Sequence, residues 1–156
     1  MSSFLMGGGA GGEDALVVEV GMHYQEAVVW RKAMRLSVAA CRLAARLPSE
    51  ERYGMRSQMT RAAISVPCNI AEGWSRESKK EKMHFLAIAH GSLAELNTQL
   101  ILSVRLDWIE RSHALPQLAL IDEVGRMLTA LRQTHRRNAA QSRTARSRPP
   151  SLPPNS

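Results

Sequence analysis

Arg61-Ala-Ala-Ile-Ser-Val-Pro67-Cys-Asn-Ile-Ala-Glu-Gly73-Trp-Ser-Arg76-Glu-Ser78-Lys-Lys-Glu81 decides how this chain folds, because it joins a proline-bearing apolar helix to a glycine and then to a basic helix start. A proline inside a helix has no amide to donate to the carbonyl four residues back and clashes with that carbonyl, at about 3 kcal/mol. The apolar spacing nevertheless keeps one helix running through it. Met55, Met59, Ala62, Ala63, Val66 and Ile70 recur at steps of three and four, the signature of a single buried face. The reading is a helix from about Glu50 to Glu72, stopped by Gly73, since glycine tolerates the left-handed conformation of a helix C-terminus. Ser78 and Glu81 then make a capping-box pattern for the next helix.

Working outward, three more helices are legible. Between Gln25 and Leu47 two apolar series run side by side: Ala27, Trp30, Met34, Val38, Cys41 and Ala45, then Val29, Ala33, Leu36, Ala40, Leu43 and Leu47. A helix apolar over so wide an arc is buried on more than one side, which points to a subunit contact beyond the bundle's own core. Pro48 ends it, and Ser49 is placed to cap the next helix, with Glu50 and Glu51 at the positive end of the helix dipole. The third helix is expected to reach about Asp107 on Met83, Leu86, Ala89 or His90, Leu93, Leu96, Leu100 and Val104. Small residues near Gly91 in its middle permit close helix approach. The fourth runs from about Ala114 to Arg136 on Leu118, Ile121, Val124, Leu128 and Leu131, with Pro116 in its first turn. Short connections and no strand signals give an all-α, up-down-up-down four-helix bundle.

The chain has 156 residues and a formal charge of +7, enough for one domain. It divides into a disordered glycine-rich leader at 1–22, the bundle at 23–136 and a disordered Arg/Pro-rich tail at 137–156. The leader carries Gly7-Gly8-Gly9-Ala10-Gly11-Gly12 and no Lys or Arg, so it lacks the basic start of a signal peptide, and Met22 is a second candidate start. No apolar run approaches the roughly 20 residues that span a bilayer, so a soluble, cytoplasmic protein is expected, with no membrane partner. Cys41 and Cys68 lie in apolar helical surroundings and read as two buried thiols. The basic balance favours polyanionic partners.

Candidate chemistry is sparse. Arg61, Ser65, Asn69 and Glu72 line one stripe of the second helix, best read as a hydrogen-bond network that fixes helix register. In it Ser65 and Asn69 satisfy backbone groups freed by Pro67, and Arg61 pairs with Glu95 on the third helix. The histidines have no metal-ligand spacing, the glycine run lacks the lysine of a phosphate loop, and no serine-nucleophile motif occurs. The expectation is no enzyme, no cofactor and no metal.

The run Gln58 to Glu81, continued by Phe85-Leu-Ala-Ile-Ala-His-Gly-Ser-Leu-Ala-Glu-Leu96, closely resembles the bacterial four-helix bundle proteins called 23S rRNA-intervening sequence proteins, or the S23 family. Tyr24 with Trp30, Leu47-Pro48 before Glu51, and Tyr53-Gly54 add to the match. The resemblance implies a homopentameric ring. It also implies kinship with an accessory protein of diversity-generating retroelements, which looks like the same pentamer and binds nucleic acid through a basic surface. A reverse transcriptase is then a partner where the gene lies beside one.

For nucleic acid, the expected surface is Arg76, Lys79, Lys80 and Lys82, joined by Arg52 and Arg56 and by Arg31, Lys32 and Arg35. Amides at the start of the third helix would add to phosphate attraction. Glu77 and Glu81 interrupt the cluster, so in one chain it is an ordinary solvated face; repeated around a ring it becomes a multivalent surface. The expected function is a non-enzymatic oligomeric bundle binding RNA or DNA by phosphate contacts. The alternative is a structural or protein-interaction module without a nucleic-acid role.

Overall fold

The apolar runs become four helices: α1 at Val28–Ala44, α2 at Met55–Ser75, α3 at Lys79–Arg105 and α4 at Arg111–Arg146. The computed structural model describes residues 23–146; the expected leader at 1–22 and the last part of the expected tail, 147–156, lie outside the described residues. Each helix packs on its sequence neighbour, and α1 closes the ring against α4. Among the described residues there is no strand, so the fold is the expected four-helix bundle.

Of the two apolar series on α1, Val29, Ala33, Leu36, Ala40, Leu43 and Leu47 form the buried one. The other is only partly covered in a single chain, with Met34 37% and Val38 45% exposed. The helix itself is shorter than expected, because a 3-10 turn at Tyr24–Glu26 precedes it and Arg46 and Leu47 close back onto Leu43 and Ala44. Tyr24 meets Trp30 edge to face with ring centroids 5.3 Å apart.

The start of α2 also differs. Ser49 does not cap it: Ser49–Arg52 is a separate 3-10 turn, and the Ser49 hydroxyl donates to Glu50 at 3.3 Å. Glu51 takes the role instead, its carboxylate accepting the Met55 amide at 3.0 Å, where a negative charge also suits the helix dipole.

Along the seam of α2 and α3 the backbones come close. Pro67 is buried inside α2 with Val66 and Ile70. The Asn69 side chain donates to the Ser65 carbonyl at 2.8 Å and to the Ser65 hydroxyl at 2.9 Å, and that hydroxyl meets Ser92 of α3 at 2.8 Å. Pro67 deprives the Ala63 carbonyl of its donor, whereas Asn69 reaches Ser65, so the expected repair takes the form of a cross-helix tie. Gly73 is not a stop. It lies buried within α2, which runs on to Ser75, and a Cβ there would stand 3.2 Å from the Phe85 Cβ and 3.4 Å from the Lys82 carbonyl. Its missing side chain lets the start of α3 approach. Arg61 and Glu95 are both exposed, and no ion pair joins them among the described residues; each is better solvated than drawn to the other across the seam.

Ser78 stands at the N-cap of α3 as expected, but its hydroxyl makes no cap bond. The far end of α3 is fixed by backbone alone. Asp107 adopts φ 57°, Trp108 N–H reaches the Ser103 carbonyl at 2.9 Å, and Asp107 N–H reaches that of Val104 at 3.1 Å. This is the paired-bond helix ending that glycine usually provides.

On α4, Pro116 is the sixth residue and falls outside the first turn. It is tolerated because Pro116 and Ser112, whose carbonyl loses its donor, both face solvent. The helix also continues past its expected end at Arg136 to Arg146. Alanine and arginine dominate that stretch, and the first proline comes only at Pro149. The two cysteines are not both buried: Cys41 is half-buried and Cys68 exposed. Burial holds the Cys41 thiol above its ordinary pKa, against a weaker opposing hydrogen bond with Ser37.

Two substitutions test these junctions. Asp107→Gly removes the cost of a left-handed non-glycine residue and is expected to stabilise the fold by about 1 kcal/mol in urea denaturation. Gly73→Val is expected to lose about 1–3 kcal/mol through overpacking of the α2–α3 seam; unchanged stability would show that the seam opens freely.

Candidate nucleic-acid interface

Antiparallel packing sorts the basic residues between the two ends of the bundle. Leu93 lies against Gly125 and His90 lies 3.5 Å from Thr129, so the start of α3 falls beside the later turns of α4. The C-terminus of α2 and the N-terminus of α3 are joined by only a short link. One end of the bundle therefore gathers Arg76, Lys79, Lys80 and Lys82 with His135 and Arg136 of α4. Lys79, Lys80 and Arg136 are exposed and Lys82 is half-buried.

Not every expected member is available. Arg76 is paired with Glu72 and lies over the Phe85 ring, its guanidinium carbon 5.0 Å from the centroid. Glu72 thus leaves the expected stripe with Arg61 and neutralises a candidate ligand of phosphate. Lys32 is likewise paired, to Glu123 of α4. Arg31 and Arg35 remain exposed. Glu77 and Glu81 are exposed among the lysines and lower the local potential.

Arg52 and Arg56 lie elsewhere. They flank the start of α2, and the 21 residues of that helix separate them from Lys79 by about 30 Å. The expected single surface is thus two basic patches at opposite ends.

Two features of the Lys79 end are not visible in the sequence pattern. Because Ser78 makes no side-chain cap bond, the first amides of α3, at the positive end of the helix dipole, are not capped by it. His135 stands next to the tail in the sequence, yet it is half-buried, and its pKa is held below the ordinary histidine value, first by burial and then by Lys82 and Lys79. The antiparallel register is the signal that places it there.

A groove of about 440 Å³ between α3 and α4 is lined by His90, Asn97, Asp122, Arg126, Thr129 and Gln133 among others. Asp122 is tied to Arg126, and the Thr129 hydroxyl already donates to the Gly125 carbonyl at 2.9 Å. These contacts leave Thr129 unprepared as a nucleophile. Among the described residues no three His, Cys, Asp or Glu side chains converge as metal ligands, and no helix is long and apolar enough to cross a membrane.

Fold and surface together define a four-helix bundle with basic residues gathered at its ends. The chain belongs to the family of 23S rRNA-intervening sequence proteins, whose profile matches residues 25–130. In fold it is similar to a protein of unknown function from the S23 ribosomal protein family of Bacteroides thetaiotaomicron. The two are 24% identical, with 67% of this chain and 98% of that one covered at a TM-score of 0.64. No curated protein matches the chain. The part of α4 after residue 130, His135 and Arg136 included, lies beyond the family match.

The depressed pKa of His135 carries a sign. Folding favours its neutral form, so the unfolded chain binds the extra proton, and this contribution to stability is present above the ordinary value of 6.5 and lost as pH falls below it. Replacing Lys82 with glutamine is expected to move the His135 titration upward in an NMR pH series; an unmoved midpoint would show that Lys82 does not face it.

Proposed function

We propose that this protein is a non-enzymatic, cytoplasmic, self-associating bundle that binds RNA or DNA by phosphate contacts at the end where α3 begins. The observation that carries this reading is the meeting of Lys79, Lys80 and Lys82 with the later, arginine-bearing turns of α4 and the uncapped amides of α3. Cationic side chains and free helix amides converging on one end are what a polyphosphate backbone requires. Self-association is supported by the half-covered stripe of Met34 and Val38. It is supported also by Gly91, which is exposed in mid-helix with nothing within 4 Å of an added Cβ. A glycine there weakens α3 by about 1 kcal/mol with no internal packing reason. A pentameric ring would repeat the basic end five times and let weak sites act together. A reverse transcriptase encoded beside the gene would be a natural partner for such a ring.

The same apolar stripe favours a second reading, a module that only assembles with itself or with another protein. Binding to unrelated oligonucleotides across a salt series separates the two. Phosphate contact requires affinity to fall as salt rises. Lys79→Glu with Lys80→Glu is expected to lower the logarithmic salt slope by about 0.9 on duplex DNA, or about 0.7 on a single strand, for each phosphate no longer neutralised, while light scattering shows the same assembly. Absence of binding at low salt would leave the assembly-only reading, and a monomer in light scattering would remove the ring.

A further inference from the structure

The opposite end of the bundle holds the most exposed large side chain among the apolar and aromatic residues described, and nothing in the fold uses it. Tyr53 is 87% exposed. Its backbone nonetheless belongs to a hydrogen-bonded corner. The Glu51 amide donates to the Pro48 carbonyl at 3.0 Å, the Gly54 amide to the Glu51 carbonyl at 3.1 Å, and the Glu51 carboxylate ties the corner to α2 through Met55. The Arg52 guanidinium lies 5.7 Å from the Tyr53 ring centroid. Arg42, Arg46 and Arg56 belong to the ends of α1 and α2 near this corner, and of its acids Glu50 and Glu51 the latter is already engaged in capping.

A solvated tyrosine ring with a guanidinium over one face, beside helix ends that carry further arginines, has the chemistry of a base-stacking platform on its other face. Each base offers a π face, and the arginines offer contacts to the flanking phosphates. A duplex keeps its bases stacked on one another and presents none to such a ring. We propose that the Arg52–Tyr53 corner stacks an unpaired nucleobase, so that the nucleic acid taken by this protein is single-stranded. The inference rests on the phosphate-contact reading and names its substrate class. The strand would be held electrostatically at the Lys79 end and by stacking at this one, about the length of α2 apart.

The test compares single-stranded and duplex oligoribonucleotides of the same length, at one salt concentration, on the full chain and on Tyr53→Ala, Tyr53→Trp and Arg52→Ala. Tyr53→Ala is expected to weaken single-strand binding about tenfold and duplex binding by less than about twofold, while Tyr53→Trp keeps or strengthens it. Circular dichroism should show all the variants folded, as a fully exposed ring predicts. Salt-dependent binding that Tyr53→Ala leaves unchanged would overturn the stacking role and spare the phosphate contacts. Equal losses on both oligonucleotides would overturn it too, since they would reflect charge or fold. Binding of neither oligonucleotide by the unsubstituted chain would remove both readings.

Discussion

The closeness of α2 to α3 is the constraint on which the remaining structure depends. A helix pair can approach tightly only where side chains are small, and this seam supplies Gly73 against Phe85 at one end and Ser65 against Ser92 further along. Pro67 belongs to the same design. Its buried ring fills space without an amide that needs a partner, while Asn69 and Ser65 convert local polarity into a tie to the neighbouring helix. With the seam fixed, the start of α3 is set against the end of α2. That placement turns Arg76 toward Glu72 and leaves Lys79 and Lys80 facing water.

The helices themselves are legible because apolar periodicity over long runs is a strong signal. Met59, Val66 and Ile70 on α2, Leu86, Leu93 and Leu100 on α3, and Val124 and Leu128 on α4 are all buried as their spacing requires. Helix ends are harder to place. Glycine marks either a left-handed ending or a close approach, and the sequence around Gly73 fits both; at α3 the left-handed residue is Asp107, a less telling choice. Serine at Ser49 and Ser78 suggests caps, yet cap bonds depend on a hydroxyl rotamer that tertiary packing decides, and at α2 a glutamate fills the role. The extension of α4 is written in its alanines and arginines, but the density of charge there gives it the look of a tail.

The candidate site is legible in composition and not in arrangement. Lys79, Lys80 and Lys82 stand at a helix start, as their sequence context requires. Their company is different: Lys32 and Arg76 are committed to carboxylates, Arg52 and Arg56 are at the far end, and His135 and Arg136 have come in from α4. Linear proximity cannot distinguish these cases, whereas an up-down topology does so at once, because it decides which helix ends share a pole. Polarity of this kind gives the bundle two basic ends joined by an apolar core.

The closing contact between α1 and α4, pinned by Lys32 and Glu123 at a separation of 91 residues, has a kinetic side. The other three seams join consecutive helices through short links, so each forms by closing a small loop. Loop-closure entropy grows only with the logarithm of length, about 0.6 kcal/mol per doubling, but the α1–α4 contact can form only when the intervening hairpins already hold their shape. A folding order with α2–α3 early and α1–α4 last is therefore expected, and mutations on the Lys32–Glu123 seam should speed unfolding more than they slow folding. The seam that closes the bundle is also the one through which it would first open.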